Sequence, residues 1–326
     1  MSLDPDAIVD RRRLRRSLAF WRIGAILLVG VLIAAGGLYW VDDGLTPRTR
    51  PHVARVTVSG MILDNRPRIE LLEELEKSHA RAVMVVIDSP GGGVAASERL
   101  YNALRRLAEK KPTVAVFGSL AASGGYLTAL GAERIFTPET ALTGSIGVLI
   151  QYPNLHGLLE KIGVDVEAIK SSPLKASPNG FEPTSPEARA ALQSVVTDTY
   201  DWFKGIVAER RKLEGEALAN VTDGRVFTGR QALDLKLVDA IGGEEAARDW
   251  LAKEKGVSSD LPVRDWRPKR SGIGGLPFVD AAVAAVARSL GLGGLAERIA
   301  AGEGLPGTGH LGLDGLLAVW HPALEK

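Results

Sequence analysis

The residues best placed to do chemistry lie in Gly118-Ser119-Leu120-Ala121-Ala122-Ser123-Gly124-Gly125-Tyr126-Leu127. An apolar run, Thr113 to Phe117, leads in, and Tyr126 to Leu130 leads out, a pattern that predicts a buried strand, a tight turn and a helix. A serine in the first turn of such a helix sits where unpaired backbone N–H groups and the positive end of the helix dipole point outward. Ser123 could therefore serve as a nucleophile, with Gly124 and Gly125 allowing a substrate backbone to come close. The same pattern also fits a Ser119 or Ser123 that only caps a helix, because serine is a favoured cap.

A nucleophilic serine needs a base. The five histidines, His52, His79, His156, His310 and His321, are scattered and follow no catalytic signature. A lysine can replace histidine only when its amine is neutral, which requires burial and hydroxyl or carbonyl partners. Lys175 stands in Ser171-Ser172-Pro173-Leu174-Lys175-Ala176-Ser177-Pro178 with no acid nearby in sequence, a setting equally suited to a solvated loop lysine. Upstream, Asp88-Ser89-Pro90-Gly91-Gly92-Gly93 lacks the Walker lysine and the dinucleotide spacing. Its N–H groups could form part of an oxyanion hole, or the glycines could make a plain flexible turn.

The elements that must position these residues alternate. Val53 to Gly60 reads as a strand, Pro67 to Ser78 as a helix, Ala82 to Asp88 as a strand buried on both faces, and Ala95 to Lys110 as a helix. Arg134 to Thr140 reads as a strand, followed by Leu142 to Ile150, a helix over Pro153 to Ile162 and a strand over Val164 to Lys170. The alternation predicts an α/β fold with one mainly parallel sheet, whose sites gather at the carboxyl ends of strands. A long helix from Ser185 to Leu213 follows, opened by a cap and an early proline. Thr228 and Gln231 then form a capping box, and a last core helix runs to Lys255.

Length and composition set the remaining bounds. The 326 residues, 45% hydrophobic, suffice for one large or two modest domains, and a formal charge of +1 gives no electrostatic case for nucleic acid. The absence of cysteine excludes disulfides and thiol catalysis. Ile23 to Val41 is 19 residues without a charge, preceded by six arginines between Arg11 and Arg22 and followed by Asp42 and Asp43. That run is long enough to cross a bilayer, and the positive-inside rule keeps residues 1–22 in the cytoplasm and exports the rest. A cleaved signal peptide and a buried core helix are the other readings of this stretch. The expected organisation is a basic N-terminus at 1–22, an anchor at 23–41, a linker at 42–52, a catalytic domain at 53–260, and an unassigned Gly/Ala/Leu-rich tail at 261–326. That tail carries an apolar patch at Leu316-Leu317-Ala318-Val319-Trp320.

Taken in order, Ser89-Pro90-Gly91-Gly92-Gly93, Ala121-Ala122-Ser123-Gly124-Gly125-Tyr126, Thr143-Gly144-Ser145-Ile146-Gly147-Val148, Lys175 at 52 positions past Ser123, and Asp223-Gly224-Arg225-Val226-Phe227-Thr228-Gly229-Arg230-Gln231-Ala232 form a set. Together they resemble the signal peptide peptidase A family of membrane-bound Ser-Lys proteases, in its short, single-repeat branch. The resemblance implies a Clp protease/crotonase-like fold with one N-terminal transmembrane helix. It makes Ser123 the nucleophile, Lys175 the general base and Ser145 the group that holds the lysine amine. Gly92 and Gly124 become the oxyanion donors, and no cofactor or metal is implied. It further implies a place in the bacterial inner membrane with the catalytic domain on the periplasmic side, remnant signal peptides as substrates, and contact with membrane lipid. The assembly it implies is a homo-oligomeric ring of eight in which serine and lysine come from neighbouring subunits. Two rivals share the fold: a noncatalytic membrane scaffold, and a crotonase-type acyl-CoA enzyme, which typically uses carboxylates and is not exported.

Overall fold

The computed structural model describes residues 50–268, together with 18, 20–24, 28 and 317–319. It divides into two units, Met1–Pro51 and His52–Lys326. Leu18, Leu28 and residues 20–24 of the first unit are helical. The expected anchor at 23–41 otherwise lies outside the described residues, among which no helix is long and apolar enough to cross a membrane.

The second unit is built on strands β1 (His52–Ser59), β2 (Ala80–Ser89), β3 (Gly91–Gly93), β4 (Thr113–Ala122), β5 (Arg134–Thr137), β6 (Leu142–Gly144), β7 (Val226–Thr228), β8 (Ala240–Ile241), β9 (Val263–Trp266) and β10 (Leu317–Val319). Its helices are α1 (Arg66–Lys77), α2 (Val94–Ala108), α3 (Gly124–Ala129), α4 (His156–Lys161), α5 (Pro186–Arg211), α6 (Gly215–Ala219), α7 (Gly229–Asp234) and α8 (Glu244–Lys255). The main sheet runs β7-β6-β4-β2-β1-β9, with β5 beside β4 and β8 beside β5. Every pairing in it is parallel except β6 with β7. This is the mainly parallel α/β sheet with flanking helices that the sequence predicts.

Burial explains the pattern. Val83, Met84, Val85 and Ile87 of β2 are shielded on both faces, as expected of a central parallel strand between helical layers. One layer brings Leu71, Leu72 and Leu75 of α1 and Leu100, Leu104 and Leu107 of α2 into a single core cluster, spaced to share one helix face. The other packs Ala247 and Leu251 of α8 against Met84, Val114 and Phe136. Caps fix the helix starts as read from sequence. The Ser185 hydroxyl accepts from Ala188 N–H at 3.1 Å, and Thr228 and Gln231 close their capping box. The sheet continues past the expected boundary at 260, because β9 pairs with β1. There Trp266 Nε1–H donates to the buried His52 Nε2 at 2.9 Å.

One expected strand is absent, and the stretch that follows the Arg134 to Thr140 strand is mostly irregular. Leu142 to Ile150 yields only β6, because Gly144 (φ 88) and Ser145 (φ 49) turn the chain out of extended geometry. Val164 to Lys170 forms no strand: its alternating apolar residues meet no partner, and Val164, Val166 and Ile169 lie exposed.

Candidate active site

The site is built where β4 changes neighbours. Its first half pairs with β5, and its last three residues, Leu120 to Ala122, pair with β6. Between the halves, Ile87 faces Phe117 while Ser89 faces Ala121, so β2 supplies one residue, Asp88, where β4 supplies three. The Asp88 carboxylate closes this bulge by accepting from Leu120 N–H at 3.0 Å. Bulges of this kind re-aim a strand end, and here the end leads into Ser123.

Ser123 joins β4 to α3 with φ 54 and ψ −116, a conformation that costs an L-residue free energy and persists only when its surroundings over-determine it. Those surroundings are hydrogen bonds: Ser123 N–H donates to the Gly144 carbonyl and its carbonyl accepts from Leu127 N–H, both at 2.8 Å. The residue is 1% exposed, and its hydroxyl makes no capping bond to α3. Ser119 lies exposed within β4. Ser123 thus holds the N-cap position of α3 without the side-chain bond by which a capping serine stabilises a helix, and Ser119 caps no helix.

Ser145 is brought to the same place. It follows Gly144, which pairs with Ala122 and accepts from Ser123, and its own N–H donates to Arg225 O at 2.8 Å. Arg225 in turn binds the Asp223 carboxylate and holds it below the usual carboxylate range. The Asp223-Gly224-Arg225 turn thus braces the backbone beside the serine. Thr143 adds a buried bond from its hydroxyl to the Ala121 carbonyl at 2.7 Å.

The glycine turn forms an extended strand, β3, on the other side. Ile62 N–H donates to Gly91 O at 2.8 Å and Gly93 N–H donates to Ile62 O at 3.0 Å. Strand alternation then directs the N–H and C=O of Gly92 to the opposite edge. A Cβ on Gly92 would fall 2.0 Å from Ile62 O, and one on Gly125 would fall 2.8 Å from Ser89 O. At both positions close backbone packing explains the glycine, which for Gly125 replaces the expected substrate approach. Gly124, buried, opens α3 directly after Ser123.

Sequence reasoning passed over Ser89. It is fully buried, and its hydroxyl donates to Gly60 O at 2.6 Å while accepting from Gly91 N–H at 3.1 Å. The signal was present as a polar residue closing an otherwise apolar strand immediately before three glycines.

Among the described residues no hydrogen bond joins Lys175 to Ser123. It sits exposed in a turn where its N–H donates to Ser172 O at 3.1 Å, and among the described residues its amine forms no hydrogen bond or ion pair. The loop is held from within, by Lys170 bonded to the Glu182 carboxylate and by Leu155 N–H donating to Gly180 O at 2.7 Å. Around it Leu158, Ile162, Val164, Val166, Ile169 and Phe181 are exposed, and α4 buries no residue. Among the described residues no cluster of His, Asp and Glu could hold a metal ion.

The family model of peptidase family S49 matches residues 105–258. A protease-named protein of Synechocystis sp. is 41% identical over 214 residues, covering 65% of this chain and 77% of that one. A protein of Enterococcus faecium that carries the name signal peptide peptidase SppA is 36% identical over 203 residues, covering 62% and 59%. Among solved structures, the 1510-N membrane-bound stomatin-specific protease aligns with TM-score 0.45 at 14% identity, covering 67% of this chain and 99% of that one.

Proposed function

The chain belongs to peptidase family S49, the signal peptide peptidase A family of serine peptidases, and from that premise we propose that it is a membrane-anchored endopeptidase in which Ser123 and Lys175 form the catalytic dyad. The observation that carries this reading is the backbone of Ser123, locked at φ 54 beside Gly144 with a hydroxyl that caps nothing. Strain maintained at a junction of this kind marks a residue whose side chain is being presented.

In the proposed reaction, Ser123 Oγ attacks the peptide carbonyl carbon and its proton passes to Lys175 Nζ. The oxyanion accepts from the N–H groups of Gly92 and Gly124. The C–N bond breaks as Lys175 returns the proton to the leaving amine, leaving an ester on Ser123. Water activated by Lys175 then hydrolyses the ester and frees the serine. Ser145 orients the lysine amine. The substrates are remnant signal peptides, whose small and apolar side chains suit an exported domain tethered by the 23–41 segment.

The lysine comes from a second copy of the chain. A base lysine must be shielded from water to be neutral, whereas Lys175 is exposed here on a segment rich in uncovered apolar side chains. The first half of α5 supports the same reading: of the helix's buried residues, only Ala188 lies there, and Val195 is 43% exposed. Covering these faces with a neighbour, repeated head to tail until it closes, gives a ring, and the family resemblance makes it one of eight.

A fluorophosphonate probe applied to the detergent-solubilised chain tests the nucleophile. Labelling should map to Ser123, and both Ser123→Ala and Lys175→Ala should lose hydrolysis of apolar peptides by about a thousandfold or more while staying folded. A folded Ser123→Ala chain that still hydrolyses peptide at the wild-type rate would refute the reading.

A further inference from the structure

Asp88 is the single residue that β2 sets against Gly118, Ser119 and Leu120 of β4. A main-chain ladder is interrupted across such a mismatch, and the side chain of Asp88 supplies an acceptor there: its Oδ1 accepts from Leu120 N–H at 3.0 Å. Gly118 makes the room. A Cβ at that position would fall 2.9 Å from both Cβ and Cγ of Asp88 and 3.1 Å from its Oδ1. The Asp88 side chain therefore lies over the backbone of β4, where any larger residue would push it away. Two residues on different strands are fitted to one hydrogen bond.

Both ends of that bond lead into the site. From Leu120, the chain runs through Ala121 and Ala122 beside β6 and delivers Ser123. On the other end, the Asp88 carbonyl accepts from Gly60 N–H at 3.0 Å, the Gly60 carbonyl accepts from the Ser89 hydroxyl at 2.6 Å, and that hydroxyl accepts from Gly91 N–H at 3.1 Å. Gly91 opens β3, which carries Gly92. The nucleophile's strand and the oxyanion strand are thus joined through one residue, by its carboxylate on one side and its backbone on the other. There is little slack to absorb a slip between them. Past the bulge, Ser89 pairs with Ala121, and a Cβ on Gly125 of α3 would fall 2.8 Å from Ser89 O.

We propose that Asp88 is a positioning residue for peptide hydrolysis: acting as a hydrogen-bond acceptor, it fixes the offset between β2 and β4 and with it the placement of Ser123 relative to the oxyanion donor Gly92. The proposal rests on the reading of Ser123 as nucleophile. The carboxylate moves no proton, so the side-chain carbonyl of an asparagine serves equally well. Ser123 and Gly92 act on the transition state more than on bound substrate, and a lost offset therefore falls on kcat rather than on KM. Asp88 is exposed, so water takes over the bond to Leu120 N–H when the side chain is shortened. The fold survives that exchange, and the offset is what is lost.

The test compares Asp88→Ala, Asp88→Asn and Gly118→Ala in the full chain. It reads hydrolysis of an apolar fluorogenic peptide across pH, the rate of fluorophosphonate labelling at Ser123, and the melting temperature. Asp88→Ala should lower kcat and the labelling rate about tenfold or more, with KM changed by less than about threefold. Asp88→Asn should keep kcat within about threefold of wild type and leave the pH profile unaltered. Gly118→Ala displaces the carboxylate and should match Asp88→Ala, and the double variant should be little slower than either, because both changes break one bond. A folded Asp88→Ala chain with wild-type kcat and labelling would overturn the positioning role and leave the nucleophile standing. An Asp88→Asn chain as slow as Asp88→Ala would also overturn it, by assigning the effect to the negative charge. Should Asp88→Ala fail to fold, equal kcat in Asp88→Asn and Gly118→Ala would overturn it in the same way. Absence of both labelling and hydrolysis in wild type and variants alike would overturn the nucleophile and the positioning role with it.

Discussion

The buried Ser89 hydroxyl ties the glycine strand to the sheet by bridging Gly60 O and Gly91 N–H. Gly91 has φ 102, a conformation with little intrinsic preference, so that bond decides where the next residue, Gly92, aims its N–H. Ser89→Ala leaves the buried Gly91 N–H unpaired and should cost about 1–3 kcal/mol of stability. If Gly92 is an oxyanion donor, the same change should lower kcat by roughly tenfold or more with a smaller effect on KM, since the N–H bonds the transition state more strongly than the substrate. Steady-state kinetics on the folded variant separate the two effects. A stability loss with kcat intact would make Ser89 purely structural.

At the level of elements, the loop that carries Lys175 is held by few bonds. Lys170 lowers the Glu182 carboxyl from its ordinary value, chiefly through their hydrogen bond, and Asn179 donates to the same carboxylate at 3.2 Å. A depressed carboxyl stabilises the fold above its unfolded pKa, and that contribution fades as pH falls through the folded value. Glu182→Gln should therefore speed proteolytic nicking within 171–181 at neutral pH, by about threefold or more, and change the melting temperature by no more than about 2 °C, because the pair is partly solvated. Limited proteolysis followed by mass spectrometry gives the rate. Unchanged nicking would mean that the backbone bond from Leu155 to Gly180 suffices.

Elements with strong local signals were legible in the sequence. β2 showed an unbroken apolar run, α2 its 3.6-residue stripe, and α5 and α7 their caps. Ser123 was legible as a candidate because a strand, a serine and two glycines adjoin a helix. The bulge at Asp88 was hidden, because it depends on register between β2 and β4, which no local pattern encodes. Val164 to Lys170 was misread as a strand because alternation reports only that one face expects cover, and another surface can provide that cover as well as a sheet. The pairing of β10 with β3 was hidden too: residues more than 220 positions apart meet, and one partner is featureless glycine.

On the scale of the whole molecule, the single chain presents a complete serine junction and an isolated lysine. Its exposed apolar residues cluster on the lysine's own segment. That segment is the face that a second copy would cover, and shielding it would give Lys175 the dry setting that a base needs. The measurement that tests this most directly is co-expression of Ser123→Ala and Lys175→Ala chains, each inactive alone, with mixed assemblies isolated through two different affinity tags. With random mixing and a serine facing the next chain's lysine, half the junctions carry an intact serine and half of those an intact lysine, so about a quarter of wild-type peptide hydrolysis should return. Mixed assemblies as inactive as either parent would contradict a dyad shared between copies.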